Sequence, residues 1–129
     1  MTNLSILLVD DDPMILKAMK NLLLEKDIQV DIASSVVEAS AKIESKEQIY
    51  DAIVCDINMP KVSGIEFGKK YYDKYPILFI TGFLEENLKD KILNICDAYI
   101  EKLEAYDRLY PAVLKAIQRK SERSPIRAA

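Results

Sequence analysis

The 129-residue sequence contains no histidine. This absence excludes Ser-His and Cys-His nucleophile pairs, zinc sites that need imidazole, and a phosphohistidine within these residues. The two cysteines, Cys55 and Cys96, are too few for a disulfide framework, and we interpret them as reduced thiols of a cytoplasmic protein. The chemistry that remains is that of carboxylates, hydroxyls and amines.

The sequence also lacks an excess of positive charge and any long apolar segment. Its formal net charge is −3, which argues against binding to a nucleic-acid backbone as the main activity. No apolar run approaches the length needed to span a membrane, and the first residues, MTNLSILLVD, lack the basic and apolar regions of a signal peptide. We therefore expect a cytoplasmic protein with no membrane insertion and no direct contact with nucleic acid.

The length fits one domain with one core. Short apolar runs alternate with segments whose apolar residues recur at helical spacing, and this alternation predicts an α/β fold with a doubly wound five-stranded parallel sheet. The predicted strands are SILLV (5–9), QVDIA (29–33), DAIVCD (51–56), PILFIT (76–81) and DAYIE (97–101). We expect the domain to cover residues 1–120 and residues 121–129 to form a polar, disordered tail.

Local signals predict where several helices begin. Pro13 suits a first helical turn, and Asp12 before it is an N-cap candidate. Ser35 and Glu38 have the spacing of a capping box that opens the second helix. Pro111 conflicts with the interior of the last helix and favours a helix start near that residue. We interpret the basic residues near 119–123 as a solvated helix end.

Polar side chains follow four of the five predicted strands. In parallel sheets the functional crevice lies beyond the carboxyl ends of the strands, so residues that follow different strands gather at one edge. The residues concerned are Asp10, Asp11 and Asp12 after the first strand, Asp56 after the third, Thr81 after the fourth and Lys102 after the fifth. The pattern predicts one polar site at that edge.

Carboxylates gathered at such a site suit two kinds of chemistry. Two or three of them with a carbonyl oxygen form a hard oxygen site of the kind that binds Mg²⁺. A carboxylate can also act as a nucleophile towards phosphorus when cations absorb the charge of the phosphoryl oxygens. Lys102 could be one such cation, and Thr81 could hydrogen-bond to a phosphoryl oxygen.

Four segments, in this order, carry a family resemblance: LLVDDDP, DINMPKVSG, FITG and DAYIEK. With them the chain resembles the receiver domains of two-component response regulators, especially the single-domain, chemotaxis-type members, over about residues 4–120. The resemblance implies a flavodoxin-like (βα)5 fold with strand order 2-1-3-4-5.

The resemblance also implies a role for each matching residue. Asp56 would be the phosphoacceptor, with Thr81 and Lys102 as its catalytic partners. Thr81 and Tyr99 would be the switch residues. Mg²⁺ would be held by Asp10, Asp11, Asp56 and the backbone carbonyl of Asn58.

We therefore expect a phosphorylation-dependent switch of a two-component system. An external sensor histidine kinase or histidine phosphotransfer protein would supply the phosphoryl group, and the domain would catalyse its own phosphorylation and dephosphorylation without being a metabolic enzyme. The family resemblance places the output on the face formed by the fourth helix, fifth strand and fifth helix, where the domain would contact a protein target.

Two departures from the family pattern fall on that face. Leu103 stands where the family usually has proline after the lysine, so we predict a trans peptide and a reshaped loop. Ile95 stands where the family usually has glycine, and a β-branched residue resists the left-handed conformation. Either Asn94 adopts that conformation instead, or the fourth helix ends early.

Two other interpretations remain open. The chain could be a receiver-like binding module that is not phosphorylated, although the retained set of site residues argues against it. It could also be a phosphotransferase of the haloacid dehalogenase type, because Asp10 and Asp12 have the spacing of that nucleophile motif. Against this, Met14 occupies the position of a threonine or valine, and Asn58 cannot act as a general acid.

Overall fold

Strands and helices alternate along the whole described chain. The structure, a computed structural model, describes residues 3–59, 63–82 and 86–123. The strands are β1 (Ser5–Val9), β2 (Gln29–Ala33), β3 (Ala52–Asp56), β4 (Ile77–Thr81) and β5 (Ala98–Glu101). The helices are α1 (Pro13–Leu24), α2 (Val36–Ser45), α3 (Gly64–Tyr71), α4 (Glu86–Ile92) and α5 (Ala105–Glu122), and a short 3-10 turn, Lys102–Glu104, precedes α5.

The five strands form one parallel sheet in the order β2-β1-β3-β4-β5. This confirms the predicted fold class and strand order. The central strands β1, β3 and β4 are buried at every position, because helices cover both faces of the sheet. One apolar cluster contains Phe67 and Phe79, and the other, on the opposite face, contains Leu23 and Leu109. The sheet is therefore a rigid platform whose strand ends are fixed relative to one another.

Two of the predicted helix starts are confirmed by their capping bonds. The Asp12 carboxylate accepts a hydrogen bond of 2.9 Å from the Met14 backbone N–H, as expected of an N-cap. Ser35 Oγ accepts one of 3.0 Å from the backbone N–H of Glu38. The Glu38 carboxylate instead accepts hydrogen bonds from Ser34, so the capping box is closed one residue earlier than predicted.

The prediction that Pro111 marks the start of the last helix is wrong. Helix α5 begins at Ala105 and continues through Pro111. Pro111 is exposed and so is Asp107, whose carbonyl loses its helical hydrogen bond to the proline. Water can hydrate that carbonyl, so the helix is not interrupted there.

The two departures from the family pattern have the following structural outcome. The bond between Lys102 and Leu103 is trans, as predicted, and the chain makes the 3-10 turn there. Helix α4 ends at Ile92, and neither Asn94 nor Ile95 has a positive φ. The early end of the fourth helix was therefore the correct alternative.

The interpretation of Arg119, Lys120 and Arg123 as a solvated helix end is wrong for Lys120 and Arg123, while Arg119 is exposed. Lys120 is buried and donates to the Asp73 carbonyl at 2.9 Å. Arg123 binds the buried Asp97 through two hydrogen bonds, of 2.6 and 3.0 Å. The fold thus includes three residues beyond the boundary expected at residue 120, and the rest of the expected tail, residues 124–129, lies outside the described residues. In the described ranges, every helix is too short or too polar to cross a membrane.

Candidate functional site

Asp10 and Asp56 meet because β1 and β3 are neighbouring parallel strands that end at the same level. Val9 lies opposite Cys55 in the register, so the next residue of each strand reaches the same edge of the sheet. Asp10 is fully buried and Asp56 is 3% exposed. One carboxylate oxygen from each of these residues and one from the exposed Asp11 lie within 4.8 Å of one another. The structure therefore brings together three of the four carboxylates that the sequence placed at this edge, and the fourth, Asp12, caps α1.

Lys102 supplies the positive charge that faces this acidic cluster. Its Nζ atom lies 3.0 Å from Asp10 Oδ2 and 3.3 Å from Asp56 Oδ2. Burial lowers the pKa of Lys102, but the contacts with Asp10 and Asp56 outweigh that effect and the net shift is upward. The ammonium is therefore charged and partly neutralises the two buried carboxylates.

Asp56 has a pKa above its ordinary value. The largest cause is burial, and the charge of Asp10 adds to it, while Lys102 opposes both. The Asn58 backbone N–H also donates to Asp56 Oδ1 at 3.2 Å, which orients the carboxylate. Asp56 is thus a poorly solvated carboxylate held in one orientation beside another acid and a cation.

The hydroxyl of Thr81 completes the group of side chains that the structure brings together. Thr81 is fully buried at the end of β4, next to β3 in the sheet. The side-chain amide of Asn58 lies 3.5 Å from Thr81 Oγ1. The sequence analysis gave Asn58 only a backbone role, and this side-chain contact was missed because nothing in the spacing of the two residues indicates it.

Tyr99 is the one predicted site residue that lies apart from the others. It is half-buried on the edge strand β5 and lines a groove between β5, α5 and the segment that follows α4. Within the described ranges it makes no hydrogen bond or ion pair with the acidic cluster. Its position is that of a residue between the site and the surface, and its switch role stays a prediction. Residues 60–62 of the DINMPKVSG segment lie outside the described residues.

The donor set of the acidic cluster fits a divalent cation. Three carboxylate oxygens that lie within 4.8 Å of one another form a hard oxygen site. Asp10 Oδ2 is buried and lies 3.0 Å from the Lys102 ammonium, and a carboxylate oxygen has a second lone pair that can bind another cation. The residues present therefore fit Mg²⁺, which takes two or three such ligands and completes its shell with water.

Comparison with known proteins links this geometry to one family. The family described as "Response regulator receiver domain" matches residues 6–120. The transcriptional regulatory protein PhoP of alkaline phosphatase synthesis in Bacillus subtilis is 36% identical in an alignment of 126 residues that covers 93% of this chain and 50% of PhoP. The sensor protein EvgS of Escherichia coli O157:H7 is 37% identical in an alignment of 97 residues that covers 70% of this chain and 8% of EvgS. The chain thus spans half or less of the length of these relatives.

Solved structures with the same fold include two whose sequence identity to this chain is above 25%. The response regulator TrrA of Thermotoga maritima, solved in complex with Mg(2+)-BeF, is 30% identical with a TM-score of 0.78, covering 88% of this chain and 98% of TrrA. A CheY-like receiver domain protein of Methanospirillum hungatei is 29% identical with a TM-score of 0.80, covering 94% of this chain and 99% of that protein. The resemblance stated from the sequence motifs is confirmed, while the single-domain assignment stays a prediction.

Proposed function

Because the chain belongs to the response regulator receiver domain family, it is a phosphorylation-dependent switch of two-component signalling, and we propose that Asp56 is its phosphoacceptor. The observation that supports this assignment best is the position of Asp56. It is a buried carboxylate at the end of β3, between the strand that leads to Asp10 and Asp11 and the strand that ends at Thr81, and it contacts the cation Lys102. A nucleophilic carboxylate needs these neighbours, because cations and hydrogen-bond donors must absorb the charge of the phosphoryl oxygens.

The proposed reaction is the transfer of one phosphoryl group to Asp56. An oxygen of the Asp56 carboxylate forms a bond to phosphorus, the bond between phosphorus and the donor imidazole nitrogen breaks, and the electron pair leaves with that nitrogen. The donor is external, since these 129 residues contain no histidine. We assign it to a sensor histidine kinase or a histidine phosphotransfer protein.

Different residues of the site have different roles in this transfer. Asp10, Asp11, Asp56 and the Asn58 carbonyl would hold Mg²⁺, which when bound neutralises oxygen charge on the phosphoryl group. Lys102 keeps its positive charge beside Asp56. Thr81 offers a hydroxyl at the end of the adjacent strand. With these groups the domain would catalyse its own phosphorylation and dephosphorylation, and it would act as a signalling module in the cytoplasm rather than as a metabolic enzyme.

The output surface that we propose lies on the face formed by α4, β5 and α5, at the groove between β5, α5 and the segment that follows α4. Its cavity of about 680 Å³ is lined by Tyr99 and by the exposed cations Arg108, Lys115 and Arg119 of α5. Inward movement of Thr81 and a rotamer change of Tyr99 would alter this groove, so that phosphorylation shifts an existing equilibrium between two conformations. Glu104 pairs with Arg108 and Asp97 pairs with Arg123, so Lys115 and Arg119 leave the groove with a net positive charge. On a chain with a net charge of −3, such a groove suits a protein target with an acidic segment.

The role of the groove's positive charge in target binding can be tested with a protein target that the phosphorylated domain captures. Reversal of Lys115 and Arg119 to glutamate should weaken capture, whereas the same reversal at Lys17 and Lys20 of α1 should not. Equal capture by both double variants would contradict the assignment of this groove.

Incubation with a small acyl phosphate and Mg²⁺ tests the phosphoacceptor. The intact mass should rise by one phosphoryl group in the wild type and in Asp12→Asn, which changes only a helix cap, and it should not rise in Asp56→Ala or when a chelator removes the metal. Equal labelling of Asp56→Ala would refute the assignment. Mg²⁺ binding without labelling would favour a binding module, and sustained hydrolysis of phosphate esters would favour a phosphotransferase.

A further inference from the structure

Gly64, the first residue of α3, lies directly against the main chain of Asp56. A Cβ atom at position 64 would overlap the Asp56 carbonyl oxygen and would lie 2.8 Å from Ile57 Cα and 3.1 Å from the Asp56 carbonyl carbon. These separations are shorter than van der Waals contact between carbon atoms. All three atoms belong to the backbone, so no side-chain rotation can make room for a methyl group.

The same glycine also holds that backbone by a hydrogen bond. The Gly64 N–H donates to the Ile57 carbonyl at 2.8 Å, and the Ile57 N–H in turn donates to the Ile80 carbonyl of β4 at 3.1 Å. The segment from Asp56 to Asn58 is therefore fixed between the first turn of α3 and β4. This segment carries both the Asp56 carboxylate and the Asn58 carbonyl.

Helix propensity does not explain the glycine at this position. Alanine forms helices better than glycine, and Gly64 has no positive φ that would require a residue without Cβ. The explanation that remains for a glycine at position 64 is the close approach of α3 to the Asp56 backbone. We propose that Gly64 is a positioning residue of the phosphorylation site: its missing side chain lets α3 set the backbone from Asp56 to Asn58 in the geometry that binds Mg²⁺. This inference rests on the proposed function of Asp56.

A second glycine of α3 provides a matched control. A Cβ atom at Gly68 would lie 2.5 Å from Phe79 Cζ and 3.2 Å from the Ile95 carbonyl oxygen, so Gly68→Ala also overcrowds the core. The added methyl group would collide with Phe79 and Ile95, which do not contact the acidic cluster. At Gly82 a Cβ atom would meet no atom of the described residues within 4 Å, so Gly82→Ala controls for the added methyl group alone.

The test compares Mg²⁺ affinity with stability in the full chain. Mg²⁺ binding is measured by calorimetry, and stability by urea unfolding with and without Mg²⁺, for the wild type, Gly64→Ala, Gly68→Ala and Gly82→Ala. Gly64→Ala should weaken Mg²⁺ binding by about 10- to 100-fold, as substitutions behind metal ligands do. Gly68→Ala should unfold at lower urea but keep Mg²⁺ affinity within about twofold, because its effect is distant from the ligands.

Each outcome of this test is decisive. Wild-type affinity in Gly64→Ala, or an equal loss of affinity in Gly68→Ala, would overturn the positioning role while leaving the proposed function intact. A wild type that binds no Mg²⁺ would overturn both. If Gly64→Ala is unfolded in buffer, trimethylamine oxide added equally to all variants favours the folded state. Calorimetry in that solution then applies the same criteria.

Discussion

Lys102 competes with any divalent cation for Asp10 and Asp56, since its ammonium already forms ion pairs with both carboxylates. Removing the ammonium leaves two buried acids side by side without a counter-charge. The affinity of the site for Mg²⁺ and its reactivity should therefore change in opposite directions when Lys102 is replaced.

We predict that Lys102→Met binds Mg²⁺ about 3- to 10-fold more tightly than the wild type, because a positive charge near the metal site is lost. It should be labelled more slowly by an acyl phosphate, because the charge beside the phosphoryl oxygens is lost as well. Calorimetry and intact mass spectrometry measure the two effects. Lys89→Met, which removes a surface ion pair with Glu86, is the control. Weaker Mg²⁺ binding in Lys102→Met would contradict this electrostatic account.

Asp31 makes the fold dependent on pH at a place distant from the acidic cluster. Burial raises its pKa, but the hydrogen bond from the Tyr50 hydroxyl, at 2.6 Å, and the contact with Lys42, at 2.9 Å, outweigh that effect and the net pKa is lowered. A carboxylate whose pKa is lowered in the folded state stabilises the fold above its unfolded pKa, and that contribution is lost as the pH falls through its folded pKa.

Asp31→Asn should therefore cost about 1–3 kcal/mol of unfolding free energy at pH 7, from the lost charged hydrogen bonds. The difference from the wild type should shrink at acid pH, below about pH 4, where the wild-type carboxylate also becomes neutral. Urea unfolding at pH 7 and again below about pH 4 measures the difference in unfolding free energy between Asp31→Asn and the wild type. Glu25→Gln, at an exposed position, is the control. A difference that persists unchanged in acid would show that the charge of Asp31 is not what stabilises the fold.

The carboxyl end of α5 is an element fixed by buried polar contacts. Arg123 binds Asp97 through Nε at 2.6 Å, donates to the Tyr72 carbonyl at 2.6 Å, and stacks on the Tyr72 ring at 3.5 Å. Asp97 also accepts a hydrogen bond of 3.0 Å from the Ile77 N–H at the start of β4. These contacts join α5 to the ends of β4 and β5 that are opposite the acidic cluster.

We predict that Asp97→Ala lowers the free energy of unfolding by about 3 kcal/mol, because it leaves the Arg123 charge largely buried without its partner. Arg119→Gln, on the exposed side of the same helix, should change it by less than about 0.5 kcal/mol. Urea unfolding of both variants measures the difference. Similar stabilities for the two variants would mean that the ion pair contributes nothing net.

The strands were predictable from the sequence because a strand covered on both faces is a continuous apolar run, as in β1, β3 and β4. The start of α5 was not predictable from the sequence. A proline such as Pro111 disfavours a helix interior unless water hydrates the carbonyl that it leaves unpaired, and the sequence does not show which side of α5 faces water. The burial of Arg123 was also not predictable, since its partner Asp97 lies 26 residues away in the chain.

At the scale of the whole molecule, the position of the site was predictable from the topology of the parallel sheet. Parallel strands that alternate with helices bring their carboxyl ends to one edge, and this rule alone placed Asp10, Asp56, Thr81 and Lys102 together. The contact of Asn58 with Thr81 and that of Gly64 with Asp56 depend on the loop after β3, whose path no local pattern specifies. The sequence therefore predicted which side chains meet, but not how the backbone between them is held.

We propose that this molecule stores its signal as a phosphoryl group on one particular carboxylate, that of Asp56. Borohydride reduction of the protein after treatment with an acyl phosphate and Mg²⁺ converts an aspartyl phosphate to homoserine, and peptide mass spectrometry then locates the modified residue. We predict homoserine at position 56 and at no other aspartate. Homoserine at position 10 or 11, or at none, would contradict the account.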